Sequence, residues 1–201
     1  MLELLDHIGL FAFAISGVLT AANRNLDILG GYIIAFITAL GGGTIRDLLL
    51  NVDIAWMTSF SQLLMVIAGA TVGIVFRKKL RSLRRTLSIF DTVGISVFTI
   101  VGVQKGLSHE QLAITAVFLG MISATFGGLI RDVLCNEIPL IFKKEVYAIP
   151  CLLGGAIYLL GDYLGLGDSA WLLWLSMLFI VTFRTLAVMF SWKLPLINEI
   201  N

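Results

Sequence analysis

Arg46-Asp47 and Arg131-Asp132 each follow a glycine pair at the same interval, as Gly42-Gly43-x-x-Arg-Asp and Gly127-Gly128-x-x-Arg-Asp. Each string lies inside a long apolar run, where an ionisable side chain is costly and marks a function or a buried partner. Consecutive glycines in a helix interior cost about 1 kcal/mol each relative to alanine. They also permit a kink or local unwinding that turns carbonyl oxygens toward a cavity. Freed carbonyls and half-helix ends are what a cation losing part of its hydration shell requires. The competing account is that the glycines only let helices pack closely; two copies, each beside an intramembrane charge pair, favour the cation site. The candidate pore residues are Gly41, Gly42, Gly43, Thr44 and Asp47, with Gly127, Gly128 and Asp132. The hydroxyls of Ser16, Thr38, Ser123 and Thr125 could line the same path or bond back to their own helix carbonyls.

The surroundings of these strings are those of a membrane protein. Of 201 residues, 58% are hydrophobic and 13% charged, against about 25% charged in a soluble domain. Apolar runs near the ~20 residues that cross a bilayer recur along the chain, broken only by short polar stretches. The expected fold is all-α, a polytopic membrane protein forming one domain over residues 1–201. Seven spans are expected, roughly Leu4–Ala22, Ile28–Leu50, Phe60–Phe76, Leu87–Val103, Leu112–Leu134, Val146–Leu160 and Ala170–Phe190. Glu3 and Asp6 precede the first apolar run in place of a basic region, which argues for a retained first helix and against a cleaved signal peptide. Cys135 and Cys151 are expected as free, buried thiols. No Ser/His/Asp triad, zinc spacing or phosphate-binding loop is present, so no enzyme and no cofactor are expected. His7 and His109 lie near span ends, not at metal-ligand spacing, so no fixed transition-metal site is expected.

Orientation follows the Lys and Arg bias. Residues Arg77 to Arg85 hold six basic side chains and no acid, which places this segment in the cytoplasm against anionic headgroups and not on nucleic acid. Arg24, Lys143, Lys144 and Lys193 then fall on the same side. The N-terminus is therefore expected outside and the C-terminus in the cytoplasm. Arg184, in the inner half of the last span, is expected to snorkel to the headgroups, with a gating role as the lesser alternative.

The chain also matches itself at an offset of 85 residues: Asp6 on Asp91, Gly9 on Gly94, Phe13 on Phe98, Gly42-Gly43 on Gly127-Gly128, Ile45-Arg46-Asp47 on Ile130-Arg131-Asp132, and Asn51 on Asn136. Repeat one (4–76), the basic segment (77–85) and repeat two (87–161) thus precede a seventh helix (170–190). Three spans per repeat insert the second copy upside down, as two inverted three-helix repeats whose interface is the natural place for a solute path. Arg46 and Asp6 should share the outer level, and Arg131 and Asp91 the inner one. These Asp–Arg contacts are expected as structural ion pairs, leaving Asp47 and Asp132 to face the two vestibules. The opposite allocation, with Asp47 paired locally and Asp6 facing water, stays open.

The segments Gly41–Asp47 and Phe126–Phe142 resemble those of prokaryotic trimeric intracellular cation (TRIC) channels, a group also labelled a glycine transporter family; the likeness runs from Asp6 through the seventh span. The resemblance implies a homotrimer with one pore per protomer, conducting potassium as the permeant ion, and helix breaks at the glycines of the second and fifth spans. The rival from another class is a secondary transporter of a small zwitterion such as glycine, with half-helix N-termini holding a carboxylate and freed carbonyls an ammonium.

Overall fold

A computed structural model describes residues 2–82, 86–143, 146–167 and 169–192. Side chains 2 and 80–82 are not part of the description. Much of the basic segment, expected against anionic headgroups, therefore lies outside the described residues, as do Lys144 and Lys193.

The helices are α1 (Leu2–Asn23), α2 (Ile28–Leu49), the single turn α3 (Ala55–Thr58), α4 (Phe60–Ser82), α5 (Thr86–Ser108), α6 (Ala113–Leu134), α7 (Ile149–Gly161) and α8 (Ala170–Met189). Among the described residues, seven of them, with α7 extended to Leu166, are long and apolar enough to cross a membrane. Backbone groups at membrane depth find no water, and helices satisfy them internally. Several expected boundaries move, among them the end of the fourth span, which runs on to Ser108. The third span runs past its expected end at Phe76, because α4 continues through Arg77 into the basic segment. The sixth starts later, at Ile149, with Pro150 in its first turn where a missing N–H costs nothing.

α1 and α5 form the centre, with α2 and α4 against α1, and α6, α7 and α8 beyond α5. Small residues set how closely they approach, as expected where apolar burial gives no net drive between helices. A Cβ on Gly17 would lie 2.7 Å from the Ala35 Cα, and one on Gly102 2.7 Å from the Gly120 Cα. These two crossings are the same crossing, displaced by one repeat. The outer faces of α2 and α4 show Ile28, Leu29, Ile33, Phe60 and Ile67 to the surroundings, as lipid-facing helices do.

The repeat extends to the turns. Asn25 and Glu110 close α1 and α5 with φ of 56° and 55°, and Asn51 and Asn136 follow α2 and α6 with φ of 54° and 52°. Asparagine tolerates this left-handed C-terminal position better than most residues. Beyond the turns, α3 and a 3-10 turn at Leu140–Phe142 occupy equivalent places. The repeats diverge at their ends: α4 lies along α1, whereas α7 is shared between α5, α6 and α8. Cys135 and Cys151 are buried and unbridged. Cys135 lies just past α6, where burial pushes its thiol up against the opposing pull of Arg131.

Candidate functional site

The glycine strings meet each other. A Cβ on Gly42 would overlap the Ser123 carbonyl oxygen, and one on Gly127 would overlap the Thr38 carbonyl oxygen. Since 38 and 123 are themselves repeat mates, α2 and α6 cross about a pseudo-twofold axis with the backbones in contact. Neither helix is broken: both remain α-helical through their glycines, which corrects the expected unwinding. The physical reason is that the missing side chains are used to bring two backbones together, so the carbonyls keep their helical partners.

Beyond the crossing, toward the C-terminal end of each helix, lies a buried charge network. Arg46 donates from Nε to Asp47 Oδ1 at 2.8 Å and from Nη1 to the Ser123 hydroxyl at 3.3 Å. Asp47 Oδ2 accepts the Ala55 N–H at 3.1 Å, which fixes the start of α3. In the second repeat Arg131 Nε donates to Asp132 Oδ1 at 2.8 Å, and Asp132 Oδ2 accepts the Leu140 N–H at 3.0 Å. Each aspartate thus tethers the link that follows its helix. Asp47 and Asp132 are buried, so neither faces an open vestibule as expected; both pair with the preceding arginine.

The expected ion pairs divide. Asp91 meets Arg131 at 2.9 Å, both fully buried. Asp6 does not meet Arg46. Its Oδ2 accepts from the Gln62 amide at 2.7 Å, and Arg46 is turned to Asp47 and Ser123. Asp47 takes a second cation, Lys105 of α5, whose Nζ stands 2.8 Å from Oδ1. The first-repeat network, the outer one in the expected orientation, therefore sets Asp6 and Asp47 against Arg46 and Lys105. The second-repeat network, the inner one in that orientation, sets Asp91 and Asp132 against Arg131 and, one ring away, Arg184. Arg184 does not snorkel. It is buried, donates to the Val146 carbonyl at 3.2 Å and stacks over the Tyr147 ring at 4.7 Å.

The hydroxyls take two roles. Ser16 and Ser123 accept from Arg131 (2.7 Å) and Arg46. Thr38, Thr44 and Thr125 bond back to Ile34, Leu40 and Met121 in their own helices. Thr44 also accepts the Trp56 indole N–H at 2.9 Å. Asp6, Gly43, Arg46, Asp47, Trp56, Gln62 and Phe98 line a cleft of about 20 Å³ at the first-repeat network, close to the space of one water. Gly41 contacts Ile130 and the Gly127 backbone without crowding. Among the described residues, no group of three or more His, Cys, Asp or Glu is placed to hold a metal. Sequence reasoning missed Gln62, Lys105 and Tyr147 as members of these networks. The repeat offset pairs Gln62 with Tyr147, the signal that would have found both.

A seven-span helical membrane protein made of two inverted three-helix repeats, with mirrored charge networks on either side of a glycine crossing, is the class that fold and site define. The family model described as Glycine transporter matches it twice, over residues 3–78 and 88–163, once per repeat. The chain is 35% identical to the UPF0126 inner membrane protein YadS of Escherichia coli K12, covering 95% of this chain and 93% of the relative. It superposes on the TRIC channel orthologue from Rhodobacter sphaeroides with a TM-score of 0.89 at 31% identity, over 94% and 98% of the two chains. A prokaryotic TRIC channel crystallised in 0.5 M KCl gives 0.87 at 34% identity, over 96% and 98%. The chain belongs to this family, that of the prokaryotic TRIC channels. Nothing in the family marks it as an enzyme.

Proposed function

We propose that this chain is a monovalent cation channel, permeable to potassium, with one path per protomer of a homotrimer in the bacterial inner membrane. The N-terminus lies outside, and the basic end of α4 lies in the cytoplasm against anionic headgroups. The path runs between α2 and α6, past Gly41, Gly42, Gly43, Thr44 and Thr38 on one side and Ser123, Thr125, Gly127 and Gly128 on the other. Ser16 adjoins it at the inner network. In this conformation α2 and α6 touch at Gly42 and Gly127, so conduction requires that crossing to loosen. The carrying observation is that the crossing lies between two carboxylate pairs set among basic side chains, Asp6 and Asp47 at one end and Asp91 and Asp132 at the other. Release of one counter-charge at either end leaves a net negative mouth that concentrates cations. The related structures at 31–34% identity are of TRIC channels.

The description of the family as a glycine transporter favours a second reading, a carrier for a small zwitterion. Purified protein in planar bilayers decides between the two. Discrete unitary potassium currents uphold the channel; saturable, coupled glycine uptake without unitary events upholds the carrier.

A further inference from the structure

The two ends of the proposed path are built differently, and one of the differences lies at a pair of repeat mates. In the first repeat the position beside the glycine string is Gln62, whose amide reaches out to Asp6 and leaves a cleft beside Gly43. In the second repeat the same position is Tyr147. Its phenol oxygen would lie 2.9 Å from a Cβ on Gly128, the repeat mate of Gly43, with Arg131 Nη2 at 3.5 Å and Asp91 Oδ1 at 3.6 Å from the same point. The space left by the missing side chain of Gly128 is thus a polar point, facing an aromatic ring that is 2% exposed. Two oxygens around it, Tyr147 Oη and Asp91 Oδ2, are buried without a hydrogen-bond partner among the described residues. A buried hydroxyl without a partner weighs against that position relative to any in which it is hydrated. The ring is held by the Arg184 guanidinium, stacked on its face at 4.7 Å and hydrogen-bonded to the carbonyl of the preceding residue, Val146. The seventh helix, which has no counterpart in the repeat, therefore grips a residue at which the inner mouth differs from the outer.

Resting on the channel reading, we propose that Tyr147 is the inner gate of the path and that Arg184 is the positioning residue that holds it shut. Tyr147 belongs to the non-helical link before α7, so the ring can leave Gly128 without unwinding a helix. Movement of α8 relative to α7 releases it by withdrawing the guanidinium from its face.

The test uses the full-length protein in planar bilayers and a labelling assay beside it. Tyr147→Gln, which copies the outer mouth, is expected to raise open probability about fivefold or more, the low end of an ordinary coupling between sites. Tyr147→Phe, which keeps the ring and removes the unpartnered hydroxyl, is expected to lower it. Arg184→Gln is expected to act in the same direction as Tyr147→Gln, and Arg184→Lys to act more weakly, because an ammonium keeps the charge but not the planar stack. Independently, Gly128→Cys in a Cys135→Ser, Cys151→Ser background is labelled from the basic side with a charged methanethiosulfonate. Labelling should be faster when Tyr147→Gln is added. Unchanged open probability and unchanged labelling in a well-folded Tyr147→Gln protein overturn the gate while leaving the channel intact. If the unsubstituted protein shows no unitary currents, the channel reading fails, and the labelling rate alone decides whether Tyr147 occludes the inner mouth.

Discussion

Phe13 and Phe98 stack with ring centroids 5.4 Å apart and planes 13° from parallel, and each lies over a glycine of the other's helix. They are repeat mates, as are Gly94 beneath Phe13 and Gly9 beneath Phe98. One aromatic pair therefore marks the pseudo-twofold axis where α1 and α5 meet. The contacts are not equally tight. A Cβ on Gly94 would overlap the Phe13 ring, whereas one on Gly9 would lie 3.0 Å from the Phe98 ring edge. Phe13 cannot retreat without breaking the stack. Gly94→Ala is expected to cost about 1–3 kcal/mol, the ordinary range for overpacking a core, and Gly9→Ala less. Thermal unfolding in detergent, followed by tryptophan fluorescence, ranks the two.

Within the run Gly41-Gly42-Gly43 the three glycines should respond very differently. Gly42→Ala would place its methyl group in the Ser123 carbonyl, and Gly127→Ala would do the same to Thr38. Backbone cannot move aside as a side-chain tip can. Each is expected to cost about 3 kcal/mol or more and to push α2 from α6. Gly41→Ala meets its nearest neighbour at 3.5 Å and Gly43→Ala at 3.7 Å, so both should fold close to the unsubstituted protein. Size-exclusion profiles and melting temperatures of the four variants check this; equal losses at Gly41 and Gly42 would mean that the crossing is not where the backbones touch.

The seven spans, their inversion and the location of both charge networks were legible in the sequence, because hydropathy, the offset of 85 residues and the Arg-Asp pairs all register in residue type. The use made of the glycines was not. A glycine pair in a helix serves a break or a close crossing equally well, and only a partner backbone, here Ser123 and Thr38, decides between them. The partner of Asp6 was not legible either, because symmetry in sequence does not force symmetry in contacts. Gln62 can donate to an aspartate and Tyr147 is turned to Gly128, so the two halves settle their charges differently. Arg184 lies outside the repeat, and nothing in α8 alone indicates that an arginine at that depth has a ring to stack on.

That asymmetry predicts unequal responses to removing a carboxylate. Asp91→Asn deprives fully buried Arg131 of one of its two ion pairs. Leaving a buried charge short of its partner typically costs about 3–5 kcal/mol. Asp6→Asn keeps an acceptor for the Gln62 amide and removes a carboxylate that has no cation within ion-pair distance among the described residues, so it should cost under about 1 kcal/mol. Denaturation midpoints of the two variants in matched detergent supply the comparison, and a larger loss for Asp6→Asn would restore the Asp6–Arg46 pair as the outer brace.

Lys105 is only partly buried, and its Nζ lies 2.8 Å from Asp47 Oδ1. Asp47 keeps Arg46 and the Ala55 N–H in its absence, so Lys105→Gln is expected to fold normally. The substitution leaves Asp6 and Asp47 facing Arg46 alone, a net negative charge around the outer cleft. Cations should then be enriched there, and unitary potassium conductance should rise. The rise should be largest in dilute salt and fade toward molar salt, as the screening length falls from about 30 Å at 0.01 M to about 3 Å at 1 M. Lys105→Arg, which retains the charge, should conduct as the unsubstituted protein does at every concentration. A Lys105→Gln conductance that matches the unsubstituted protein in dilute potassium chloride would remove Asp47 from the ion's route, and the path would then have to pass the crossing on the side away from α5.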